Sequence, residues 1–254
     1  MRKVLVVCCV LLFCLLAFPL VAQELKEGYY PDGKLRYKGY FRNGQPVGEM
    51  THYFPDGKVK AVMNYAGDTV DAVLYTASGE YTMSGKYKDR KKVGKWEYRK
   101  GKQLLYMEEY DSDILNGLSE KYYPAGQVSE KKNWKQGMPS GLWQLFYDTG
   151  KLKMEAVYVD GRLNGPLKSY DYKGGLIVEG FYQNNRKEGV WKYFDEAGKL
   201  KAERTYVNGA YAGYETEELE ETKQIDDVVR KGEKIPDPAN FVDAPEDYLK
   251  IIGD

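Results

Sequence analysis

The chain has 254 residues, enough for one or two domains if compact, and its 38 basic and 38 acidic side chains cancel. That balance excludes a global field drawing the protein onto nucleic acid or an anionic membrane. The unusual counts are 24 Tyr and 27 Gly, which fit many short, half-buried strands joined by tight turns.

Arg2 and Lys3 precede the apolar run VLVVCCVLLFCLLAFPLVA, and polar sequence resumes at Gln23. A basic start, an apolar stretch broken late by Pro19, and small Ala22 before Gln23 have the form of a secretory signal. Residues 1–22 are therefore expected to be cleaved after Ala22, leaving an exported protein that is periplasmic, envelope-associated or secreted. The alternative is an uncleaved anchor, since residues 4–22 approach the ~20 residues of a spanning helix; membrane contact is expected only in that form. Lipid attachment at Cys14 fits poorly, with bulky Phe13 where a small residue is needed. Cys8, Cys9 and Cys14 all lie in this segment, so a cleaved chain has no disulfide, no thiolate metal ligand and no cysteine nucleophile.

From residue 29 the chain repeats itself. YYPDGKLR at 29–36 returns as YFPDGKVK at 53–60. Aligning the turn glycine gives Gly33, Gly57, Gly79, Gly101, Gly126, Gly150, Gly174 and Gly198, and a second column, in phase, holds Gly48, Gly94, Gly117, Gly141, Gly165, Gly189 and Gly213. Eight copies thus tile the chain from about Tyr29 to Tyr214, within a repeat array bounded at residues 23–214. Within each copy the residues alternate, as in KLKMEAVYVDG at 151–161: Leu152, Met154, Ala156 and Tyr158 fall on one face, which means a strand with one buried side. The positions two and eight after the turn glycine (Leu35 and Phe41, Leu152 and Tyr158, Leu200 and Tyr206 among them) are read as the core stripe. Asn43-Gly44, Asp160-Gly161 and Asn208-Gly209 suit tight hairpin loops. A second strand follows, as in GLWQLFY at 141–147. One copy is one β-hairpin.

The pattern Y-Y-x-x-G-K-L-K…Y-x-N-G…G-x-W resembles the MORN-repeat variant of YwqK-type, antitoxin-like bacterial proteins. The resemblance covers nearly all of the chain after residue 22 except the last forty or so residues. It implies an elongated, twisted sheet of stacked hairpins with no enzymatic activity of its own. Ala72 departs from it where the second glycine belongs, and the copy at 101–121 carries an extra residue. The fold expected is all-β: a single antiparallel sheet of about eight tandem hairpins, its sixteen strands spanning on the order of 75 Å. Each hairpin touches only its neighbours, so the ends need caps.

Residues 215–254 form an acidic C-terminal tail with 13 acidic and 5 basic side chains. Within it TEELEETKQIDDVVRKG predicts a helix with acids near its start, bases near its end and Gly232 following. Leu219, Ile225, Val228 and Val229 make a ragged apolar stripe. The tail reads as a solvated or capping segment, or as an acidic arm that covers the last sheet edge or docks a partner.

Catalytic, metal and cofactor sites are not expected. His52 is the only histidine, an ordinary strand residue beside Tyr53, and one His without Cys does not make a usual zinc set or a ready triad. Acidic residues stand beside lysines, as Glu155 beside Lys153, where cross-strand pairing explains them. Surfaces remain. Trp96, Trp143 and Trp191 recur two positions after the second glycine, with Tyr98 and Tyr193 two positions further on. Facing solvent, the tryptophans would recur about 20 Å apart and suit an extended partner; facing inward, they are core. The reading is an exported, non-enzymatic scaffold binding another macromolecule, expected to be a protein. The alternatives are an antitoxin or immunity-type inhibitor, implied by the resemblance alone, and an envelope carbohydrate-binding protein. The turn glycines Gly33, Gly57, Gly126, Gly150, Gly198, Gly141, Gly165 and Gly189 are structural.

Overall fold

The computed structural model describes residues 22–213 and 220–233; the segment read as a signal, to residue 21, and the proline-containing end of the tail lie outside them. The strands of the first half are β1 (Glu24–Tyr29), β2 (Leu35–Arg42), β3 (Gln45–Tyr53), β4 (Val59–Ala66), β5 (Thr69–Tyr75), β6 (Tyr81–Lys88), β7 (Lys91–Lys100) and β8 (Gln103–Asp111). The second half follows with β9 (Ile114–Leu115), β10 (Gly117–Tyr122), β11 (Val128–Lys135), β12 (Met138–Phe146) and β13 (Leu152–Val159). It closes with β14 (Arg162–Tyr170), β15 (Leu176–Gln183), β16 (Arg186–Phe194), β17 (Leu200–Val207) and β18 (Ala210–Tyr211), then helix α1 (Glu220–Glu233). Strands that follow one another pair antiparallel, except β9 and β10, which are separated by Asn116 and both pair with β8. The eight copies are therefore one open meander of 18 strands. Two strands exceed the sixteen expected: β1 arises from the polar stretch before the first copy, and the Asn116 break splits one strand in two.

The two connections of each hairpin have different chemistry. At the PDG turns the Gly33 N–H donates to Tyr30 O at 2.9 Å and Tyr30 N–H to Lys34 O at 2.8 Å; Tyr123–Gln127 and Tyr147–Lys151 repeat the geometry. The opposite loops need two residues at positive φ, met by Asn43 and Gly44 (51° and 77°) and by Asp160 and Gly161 (47° and 80°).

Two expectations about columns need correction. Gly141, Gly165 and Gly189 are not turn residues: they lie inside β12, β14 and β16 at φ of 100°, 148° and 69°. Each stands opposite an aromatic residue of the next strand, Tyr158, Tyr182 and Tyr206 respectively, beside register shifts that mark β-bulges. Nor is the column two after the turn glycine a core column throughout. Register shifts beside Leu35, Val59 and Leu200 move it off the face, leaving Val59 37% and Leu200 47% exposed.

The buried face is carried instead by the columns four, six and eight after the turn glycine. Residues six after it run across the sheet as Gly39, Met63, Gly85, Ala156 and Gly180, with charged Glu108, Lys132 and Arg204 between. Small members of this row make room for large neighbours. A Cβ on Gly85 would meet the Trp96 ring at 2.3 Å, and one on Gly180 the Trp191 ring at 2.2 Å. Two apolar clusters result, one over β5–β9 and one from β12 to α1.

Candidate functional site

Trp96, Trp143 and Trp191 are 0%, 1% and 0% exposed, and Tyr98 and Tyr193 are 2% and 0%. None of the five offers surface to a partner, so the tryptophan row is the floor of the site rather than its contact face. Their polar edges are satisfied inside: the indoles of Trp96 and Trp191 donate to Lys86 O and Phe181 O at 3.2 Å, and that of Trp143 to Glu130 Oε1 at 2.8 Å.

Each of these tryptophans carries a lysine ammonium over its ring: Lys92 4.8 Å from the Trp96 centroid, Lys132 4.7 Å from Trp143 and Lys187 5.1 Å from Trp191. Cation–π attraction offsets part of the cost of burying these charges. Carboxylates supply the rest. Lys132, fully buried, lies 3.4 Å from Glu130. Burial would raise the Glu130 carboxyl, but Lys132, Lys121 and the Trp143 indole outweigh it and hold the group below the usual range. Lys92 donates to the Tyr98 hydroxyl at 3.2 Å. Burial lowers its pKa, opposed by the charges of Glu108 and Asp113. Sequence reasoning missed these lysines. The available signal was their place: Lys92 and Lys187 stand two before the second glycine, where other copies have Pro46, Val70, Leu115, Pro139 and Leu163.

In its C-terminal half the aromatic face is partly covered by a helix, which leaves a hollow of about 390 Å³ against Tyr182, Lys187, Tyr206 and Tyr211; in its N-terminal half no helix covers it among the described residues. The covering helix is α1. Glu220 and Glu221 begin it and Arg230 and Lys231 end it, each favourable to the helix dipole. Ile225 and Val229 enter the core beside Trp191 and Tyr206. Asp226 takes Lys187 at 2.9 Å, the Thr222 hydroxyl donates to Tyr193 Oη at 3.1 Å, and Glu221 pairs with Lys201 at 2.8 Å. The ragged stripe thus docks through Ile225 and Val229, with Val228 partly buried against the same cluster, and Leu219 lies outside the described residues.

Two hollows of about 620 Å³ each open on the N-terminal half, and Met63 lines both. The first is walled by Gln45, Pro46, Tyr65, Val70, Tyr87, Arg90, Lys92, Tyr110 and the carboxylate of Asp113, which accepts from the Lys92 N–H at 2.7 Å. Burial, with Asp113 nearby, pushes the Tyr87 hydroxyl up to about 12. The second holds Tyr30, Arg36, His52, Phe54, Lys60 and Tyr75. His52 lies in β3 as expected; burial, then Lys60 and Arg36, lower its pKa, and its buried Nε2 has no hydrogen-bond partner among the described residues. Among the described residues no group of three or more His, Cys, Asp or Glu is spaced to hold a metal, and no helix is long and apolar enough to cross a membrane.

A sheet built by stacking like hairpins defines a class, the tandem β-hairpin repeat protein. Five stretches of the chain match the MORN repeat variant, at residues 25–43, 46–66, 115–136, 139–160 and 187–208. Each match spans one strand, its PDG-type turn and the next strand, as β3–β4 or β12–β13. The copies between 67 and 114 are not matched, and they include β5 to β8, which line the first hollow. No curated protein matches the chain. Among solved structures, an S. aureus TarM mutant in complex with Fondaparinux, alpha-GlcNAc-glycerol and UDP aligns at 10% identity over 46% of this chain and 19% of its own, with TM-score 0.20. At that score the likeness carries no argument.

Proposed function

We propose that the protein is an exported, non-enzymatic scaffold that binds another protein through the aromatic face of its sheet. The observation that carries this reading is the contrast between the two halves. In the C-terminal half α1 packs on the apolar columns and leaves a hollow of about 390 Å³, whereas in the N-terminal half the same columns border two hollows of about 620 Å³ each with no helix over them among the described residues. An apolar groove with a few charges at its rim is what a helix of a partner protein docks into. The buried charges serve the sheet itself, Lys132 with Glu130 and Lys187 with Asp226.

The test is affinity capture from an envelope extract with the chain starting at Gln23, comparing wild type with Val70→Asp. One stoichiometric protein retained by wild type and lost by the variant supports the reading. Recovery of polysaccharide alone, or hydrolytic activity abolished by changing one carboxylate, overturns it.

A further inference from the structure

The constellation beneath α1 occurs twice. Gly180, Tyr182, Lys187, Trp191, Tyr193 and Tyr206 have counterparts in the same columns four repeats earlier: Gly85, Tyr87, Lys92, Trp96, Tyr98 and Tyr110. The geometry is duplicated too. The Tyr98 and Tyr110 hydroxyls are 3.2 Å apart and those of Tyr193 and Tyr206 3.5 Å. Both lysines lie over their tryptophan, and both glycines lie under it. α1 lies over one copy; among the described residues no helix lies over the other, whose Trp96, Tyr98 and Tyr110 are nevertheless buried.

The differences define what the open copy accepts. Tyr106 pairs with Tyr98 where Ala202 pairs with Tyr193, and Glu108 pairs with Trp96 where Arg204 pairs with Trp191. The sheet therefore fills the space beside Tyr98 with its own ring and sets its own carboxylate near Lys92. The vacancy moves to the β4–β5 side. There Met63, Tyr65 and Val70 stay partly exposed, while their counterparts Ala156, Tyr158 and Leu163 are 1%, 3% and 0% exposed. At the rim, Asn185 accepts the Leu163 N–H at 2.6 Å. Its counterpart Arg90, with the same positive φ, is exposed and makes no hydrogen bond or ion pair among the described residues.

We infer that this hollow is the docking site for an amphipathic helix of a partner protein, one that lays an apolar ridge on Met63, Tyr65 and Val70 and sets a carboxylate against Arg90. The inference rests on the scaffold reading above and names the site and the partner's chemistry. Helix-in-groove recognition uses anchors three and four residues apart, the spacing by which Thr222, Ile225, Asp226 and Val229 seat α1 beside Lys187, Tyr193 and Tyr206, the counterparts of Lys92, Tyr98 and Tyr110 next to this hollow.

A synthetic peptide of residues 216–233, which contains α1, the one helix among the described residues, is the probe. It is titrated into the full chain labelled at its methionine methyl groups. The expected result is saturable one-to-one binding that shifts Met63 and leaves Met154, in the C-terminal core, unmoved. Arg90→Glu, which alters an exposed turn, and Val70→Asp each weaken that binding roughly tenfold or more. Failure to saturate by about 1 mM peptide, equal binding to both variants, or a shift of Met154 in place of Met63 overturns the inference. So does binding that appears only when residues 234–254 are removed, because the chain's own end is then the occupant. A partner captured through another face, without peptide binding, sinks this inference and leaves the scaffold reading intact.

Discussion

At Gly85 and Gly180 the absence of a side chain is what lets an indole lie flat on the neighbouring strand. Gly85→Ala or Gly180→Ala drives a methyl into the Trp96 or Trp191 ring at 2.3 or 2.2 Å, and overpacking of this kind costs ~1–3 kcal/mol. Urea denaturation should show that loss. His52 makes a pH-dependent contribution whose sign follows from its environment. Its folded pKa is lowered by burial, then by Lys60 and Arg36, so the unfolded chain takes up a proton first. Stability is then lost as pH falls below about 6.5, levelling off once the folded value is passed. Urea midpoints measured between roughly pH 5 and 7 should show this slope in wild type and not in His52→Gln. Neither effect was legible beforehand. Gly39, Gly85 and Gly180 form no complete column, and a single lysine such as Lys132 reads as a solvated charge unless its neighbours in space are known.

Hairpins were legible because two glycine columns run in phase and an aromatic residue recurs eight positions after the first. Which side of the tryptophans is covered was not. Alternation assigns residues to two faces but does not say what lies over either one, and each β-bulge shifts the alternation by one residue. Val59 and Leu200 were displaced in this way. Adjacent hairpins are also tied by side chains. The hydroxyls of Tyr30, Tyr123 and Tyr147 donate to the carbonyls of Tyr53, Phe146 and Tyr170 at 2.7 to 2.8 Å. Tyr147→Phe removes one such tie and should cost about 1 kcal/mol, read as a lower urea midpoint with unchanged slope. At the far end Asp226→Ala leaves Lys187, 7% exposed, without its helix carboxylate. Because Asp226 is itself half exposed, the loss is about 1–2 kcal/mol. Faster amide exchange in α1 and β16–β18 would localise it.

Across the whole molecule, no hairpin buries its own face, and stability accumulates from neighbour to neighbour. The cluster from β12 to α1 holds the most buried residues, while β1 has a single paired edge and β18 only two residues. Hydrogen exchange should therefore be slowest in β13–β16, intermediate in β6–β8 and fastest in β1. Uniform protection from β1 to β17 would instead mean that the sheet opens all at once.

The tyrosine ties govern how such a chain can change its length. Donor and acceptor occupy matching columns of adjacent copies, so losing one whole copy hands an equivalent carbonyl to an equivalent hydroxyl. With residues 124–147 excised, Tyr123 would precede Asp148 and inherit the Tyr170 carbonyl from Tyr147. Loss of part of a copy leaves donor and acceptor out of step. Length in this protein is quantised: duplication or deletion in a gene of this kind yields longer or shorter sheets in whole steps, with every other turn undisturbed.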